Sequence, residues 1–119
     1  MNLTAFGKLI RTFRLEKLMR LKDMASDLGV SSAFLSAVET GAKEIPDDMI
    51  EKLINVYNFS DAQQIELFKA VDETKANMVI NMPNSLEDRY LIGAFARNLN
   101  NLDSEKKNRI LQMLKGNNE

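Results

Sequence analysis

With 119 residues the chain has room for one domain core, plus a C-terminal third too short to fold by itself. Its 45% hydrophobic and 28% charged residues are ordinary for a folded protein, while cysteine and histidine are both missing, which excludes disulfides and thiolate metal sites and removes the commonest general base and metal ligand. The formal net charge is −1, but Met1 to Lys22 carries six basic residues against Glu16 alone, whereas Pro46 to Glu119 has nine basic and twelve acidic ones.

With only two prolines and five glycines, helix is expected throughout, so the fold class is all-α. Thr4 can cap a first helix running to about Met19, with Phe6, Leu9, Ile10, Phe13 and Leu18 as its approximate apolar stripe. Leu21 to Gly41, LKDMASDLGVSSAFLSAVETG, then reads as helix, turn, helix. Ala25 lies on the inner face of the first of these two helices, where a larger side chain would push the second away. Gly29 follows the last apolar residue and can take the left-handed conformation that ends a helix. Ser31 or Ser32 can cap the next helix, whose Leu35 and Val38 face back onto Met24, Leu28 and Val30. Ser32, Ala33, Ser36, Ala37 and Thr40 are left on the outer face, and Gly41 ends the run.

Pro46 is placed to open a fourth helix, with Asp47 and Asp48 at its positive end and Met49, Ile50, Leu53, Ile54 and Tyr57 at helical spacing as core. Asn58 ends it. Ser60-Asp61-Ala62-Gln63 forms a capping-box pattern that launches a fifth helix carrying Ile65, Leu67, Phe68 and Val71. Five helices make a complete domain over residues 1–75. The extension, 76–119, begins where Met78-Val79-Ile80-Asn81-Met82 breaks the helical period and Pro83 stops it, predicting a short arm or strand. Two further helices follow. Ser85 starts one with Leu91, Ile92, Phe95 and Leu99, and Asp103 or Ser104 starts the last, with Ile110, Leu111, Met113 and Leu114. Gly116 to Glu119 reads as a frayed tail.

The segment from roughly Phe6 to Lys75 resembles the lambda Cro/CI-like (XRE-type) helix-turn-helix DNA-binding domain of bacterial and phage regulators, a five-helix lambda-repressor-like fold. Two details sharpen the resemblance. Glu39-Thr40-Gly41 matches an acidic residue two positions before a glycine at the end of the recognition helix, and Arg14 occupies the position of an arginine that pairs with that acid. The resemblance implies an ion pair between Arg14 and Glu39 that orients the third helix on the first, expected to add little stability. Phe34, at a position where relatives carry an aromatic, is expected to pack against neighbouring helices.

An α-helix fits the DNA major groove, where base edges distinguish all four base pairs, and the N-terminal half of the motif's second helix does the reading. By position, Ser32, Ala33, Ser36 and Ala37 face the bases. None can make the bidentate contact of Arg, Asn or Gln, so the serines, water, thymine methyls and DNA shape are expected to share the discrimination. Arg20, Lys22, Thr40 and Lys43 are expected on backbone phosphates. The basic N-terminal segment suits a protein that turns one face to phosphate.

A single module of this kind contacts too few bases for useful selectivity, so a homodimer on half-sites about 34 Å apart is expected. The extension is the candidate for holding two copies together, through Met78, Val79 and Ile80 as a paired strand and through Leu91, Ile92, Phe95, Ile110 and Leu114 on the last two helices. The expected function is a sequence-specific transcriptional regulator, in the first place a repressor at an inverted-repeat operator, needing no cofactor or metal. Many small relatives are antitoxins or partners of a neighbouring metallopeptidase, so the alternative is a protein whose extension binds a toxin or peptidase while the DNA module represses the operon. A protein-interaction module that has lost DNA binding is a third reading. Enzymatic activity is not expected, because the carboxylates read as solvated faces and caps. No run approaches the roughly 20 apolar residues of a membrane span, and Met1-Asn2-Leu3-Thr4 begins no signal peptide. A bacterial, plasmid or phage origin and a cytoplasmic location are therefore expected.

Overall fold

The structure, a computed structural model, describes residues 2–116, and among them every regular element is helical. The chain divides into two compact units, Met1–Met78 and Val79–Glu119. Among the described residues no helix is long and apolar enough to cross a membrane.

The first unit starts with α1, Ala5–Glu16, capped by Thr4, whose hydroxyl accepts the Gly7 N–H at 3.0 Å. This helix stops short of the predicted Met19. Leu18 adopts φ 55°, the Leu18 N–H donates to the Leu15 carbonyl at 3.3 Å, and the Met19 N–H donates to the Arg14 carbonyl at 2.9 Å. That pair of bonds is a Schellman ending, completed here by a leucine in place of the usual glycine. Leu18 is thereby turned outward and left 93% exposed, so it does not belong to the apolar stripe.

Helix α2, Leu21–Leu28, ends the same way on Gly29, at φ 73°, with the Val30 N–H donating to the Ala25 carbonyl at 2.9 Å. Ser31, not Ser32, caps α3, Ser32–Thr40, by accepting the Phe34 N–H at 3.0 Å. Pro46 is the cap of α4, Asp47–Val56, so the helix begins one residue later than predicted, and Asn58 turns at φ 51° so that the Phe59 N–H reaches the Ile54 carbonyl. The Ser60–Gln63 capping box opens α5, Asp61–Thr74, as the pattern predicts.

Phe6, Ile10, Met24, Leu28, Leu35, Val38, Met49, Leu53 and Leu67 are completely or almost completely buried and form the core that these five helices share. Ala25 is buried where α2 meets α3, as its size requires, and Phe34 packs on the core's edge. On α5 the buried residues are Leu67, Ala70 and Val71, whereas Ile65 and Phe68, the other two apolar residues named on this helix, are exposed. The two ends of the first unit are tied together by Thr74, whose hydroxyl accepts the Phe6 N–H at 3.0 Å and donates to the Ala70 carbonyl at 2.7 Å.

In the second unit, Ser85 caps α6, Leu86–Asn98, a 3-10 turn covers Leu99–Asn101, and Asp103 caps α7, Ser104–Lys115. The predicted strand is corrected. Residues 77–83 take no regular structure, and Met78, Val79, Ile80 and Met82 are exposed. A strand exists only through a ladder with another strand, and among the described residues none is present to supply one. The segment is an apolar, irregular connection.

Candidate nucleic-acid interface

The outer face of α3 is set by what holds its inner face. Leu35 and Val38 are fully buried against the α2 side of the core, which leaves Ala33 exposed and Ser32, Ser36, Ala37 and Thr40 half-exposed. The C-terminal end of α3 is fixed at one residue. The Glu39 side chain is buried and paired with Arg14 of α1, itself buried, through Nη1 to Oε2 and through Nη2 to Oε1 at 3.3 Å. Arg14 also points Nη1 at the Met24 sulfur, 3.6 Å away. The guanidinium thus joins α1, α2 and α3, and the ion pair implied by the resemblance is present. It is a buried pair, not a surface one, so losing one partner strands a charge away from water.

The four residues expected on phosphate differ in their freedom. Lys22 and Lys43 are exposed and make no ion pair among the described residues. The backbone of Lys43 is held to α3 by donation to the Ala37 carbonyl at 3.1 Å, which fixes where its side chain starts. Arg20 is already engaged: the Asp23 carboxylate accepts from the Arg20 N–H at 3.0 Å and from Nε at 3.2 Å. The Arg20 backbone bond, then its side-chain bond, hold the Asp23 carboxyl below its ordinary value of 3.8. This pair lies in solvent, where an ion pair contributes little. The Thr40 hydroxyl donates to the Ala37 carbonyl at 3.3 Å, and it must release that bond to donate elsewhere.

Between α1 and α3 lies a cleft of about 270 Å³ whose walls include Arg11, Arg14, Leu21, Ser36 and Thr40. A larger groove of about 510 Å³ is lined by Leu9, Phe13, Phe59 and Ala62, but no residue of α2 or α3 reaches it. The smaller cleft is the one that adjoins the predicted reading face.

A family model described as a helix-turn-helix domain matches residues 5–67, which span α1 to α4 and the first half of α5. The chain belongs to the helix-turn-helix domain family. No curated protein and no solved structure matches the chain. The helix-turn-helix domain is of the XRE/Cro-like kind, and it makes the chain a DNA-binding regulator in the broad sense. Within this helix-turn-helix protein, α2 and α3 are the two helices of the motif, and Gly29 to Ser31 is its turn.

Proposed function

We propose that this helix-turn-helix protein is a sequence-specific transcriptional repressor that occupies an inverted-repeat operator as a homodimer. The observation that carries the reading is the mounting of α3: its inner face is buried, its end is clamped by the Arg14–Glu39 pair, and its outer face presents only small side chains. A helix held in this way can enter a major groove without being reordered. Ser32 and Ser36 would read base edges, directly or through water, and Ala33 and Ala37 would pack on thymine methyls. Lys22 and Lys43 supply phosphate contacts, with Arg20 and Thr40 joining once they exchange their internal partners. The protein acts by binding, with no catalytic step and no cofactor.

The second unit supports assembly. Neither α6 nor α7 buries a single side chain, and Leu91, Phe95, Met113 and Leu114 are exposed, as are Met78, Val79 and Ile80 on the connection before them. Ile92 and Ile110 are only half-buried. A unit of this size with so much apolar surface in water is stabilised when a partner covers it. A second copy would place two α3 helices on half-sites about 34 Å apart. The same surface supports a second reading, in which the unit neutralises a toxin or peptidase and the helix-turn-helix domain represses the shared operon.

Selection of bound duplexes from a random DNA pool tests the reading. Recovery of an inverted repeat with half-sites one helical turn apart is the expected result. Recovery of no sequence, together with no retardation of any DNA at low salt, would overturn it. Sedimentation of the purified chain separates homodimer from monomer, and copurification of a small untagged protein would favour the second reading.

A further inference from the structure

The cleft beside α3 is electrically unbalanced. Its walls hold two guanidiniums, Arg11 and Arg14, against one carboxylate, Glu39. Arg14 and Glu39 are both buried and bonded to each other, so their charges cancel. The remaining positive charge belongs to Arg11, which is exposed and whose side chain makes no ion pair among the described residues. Across the cleft stand Ser36 and Thr40, one turn apart on the outer face of α3.

We infer that Arg11 grips a backbone phosphate at the edge of the major groove that α3 enters, a contact additional to those of Lys22 and Lys43. A phosphate oxygen only accepts hydrogen bonds, and the cleft offers it donors: the Arg11 guanidinium with five N–H groups, and the Ser36 hydroxyl. Its volume of about 270 Å³ admits a phosphate group with several waters, each of which takes about 30 Å³. Arg11 starts on α1, so it reaches the DNA from a different helix than any of the previously expected contacts and fixes α1 against the strand. The sequence shows Arg11 only as one cation among six in the first 22 residues. What distinguishes it is that Arg14, three residues on, is consumed by Glu39 and leaves Arg11 alone facing the cleft.

This inference rests on the DNA-binding reading, and the test separates the two. Binding of the full chain to a fluorescent random-sequence duplex is measured by anisotropy between 50 and 200 mM salt for the natural chain, Arg11→Gln, Arg11→Lys and Lys69→Gln. The last lies on α5, where its cation already pairs with Glu66. Each lost phosphate contact lowers the slope of log affinity against log salt by about 0.9, so across that range Arg11→Gln should lose about three-fold less affinity than the natural chain. Arg11→Lys should keep most of the slope and Lys69→Gln all of it. A natural slope in a folded Arg11→Gln, checked by helical circular dichroism, overturns the inference and leaves the reading standing. No binding by the natural chain at 50 mM salt overturns both.

Discussion

The main-chain carbonyl of Glu39 accepts two hydrogen bonds from Thr4, one from its N–H and one from its hydroxyl, each 3.0 Å long. The start of α1 thus holds the end of α3 by the backbone of the very residue whose side chain Arg14 holds. Thr4 uses the same hydroxyl to cap its own helix, accepting from Gly7. Both ends of α1 therefore hold α3 at a single residue, Glu39.

Gly7 makes that approach possible. A Cβ added there would overlap the Glu39 carbonyl oxygen and lie 2.9 Å from the Glu39 Cα, and these backbone atoms cannot swing aside as a side chain can. Gly7→Ala is expected to cost about 1–3 kcal/mol of stability, the range for overpacking a close contact. Urea unfolding followed by circular dichroism measures it, and an unchanged midpoint would show that α3 can move without penalty.

Because the Arg14–Glu39 pair is buried, its partners are unequal to a surface pair in consequence. Glu39→Gln leaves the guanidinium without its counter-charge and should destabilise by about 3–5 kcal/mol, while the double replacement Arg14→Met with Glu39→Leu should cost less than that single change. Unfolding of the single and double variants gives the comparison. A loss under about 1 kcal/mol for Glu39→Gln would place the pair with exposed ones.

Tyr57 gives the first unit an alkaline dependence. Its hydroxyl donates to Asp27 at 2.8 Å, and burial first, then that bond and the Asp27 charge, push the phenol above its ordinary value of 10.0. The folded chain keeps this proton at a pH where the unfolded chain has lost it. The associated stability is whole below pH 10 and is lost as pH rises from there toward the folded value. Tyr57→Phe should flatten the decline above pH 10 while costing about 1 kcal/mol at neutral pH for the missing bond. Unfolding midpoints of both chains across pH 7–11 provide the test.

The motif itself was legible because its signals are local. Gly29, Ser31 and Gly41 mark the bounds of α2 and α3, and Ala25, Leu35 and Val38 are buried as their spacing requires. The end of α1 was hidden because a leucine occupies the left-handed position where a glycine would have announced the stop. On α5 the helical spacing of Ile65, Leu67, Phe68 and Val71 leaves open which of them are inside: Leu67, Ala70 and Val71 are buried, and tertiary placement chooses among apolar residues. The supposed strand at Met78 to Met82 had β-favouring composition without a pairing partner among the described residues. Of the candidate interface, the outward placement of Ser32, Ala33, Ser36, Ala37 and Thr40 on α3 was legible from spacing, whereas the engagement of Arg20 by Asp23 appears only once the cap forms.

Leu18 offers a gain. A left-handed leucine is strained by its Cβ, and at 93% exposure its side chain contributes almost no burial. Leu18→Gly should raise stability by about 0.5–1 kcal/mol, the relief of the strained dihedral outweighing the added freedom of the unfolded chain. A lowered thermal midpoint would show that Leu18 packs on something in solution.

The alanines and serines on the outer side of α3 also determine how thick the protein is at that point. A cylinder bearing one- and two-atom substituents is slimmer there than one bearing glutamine or arginine, so its axis would settle nearer the floor of the duplex. Selectivity would then depend on how wide the DNA opens, and operators would share a shape more than a spelling.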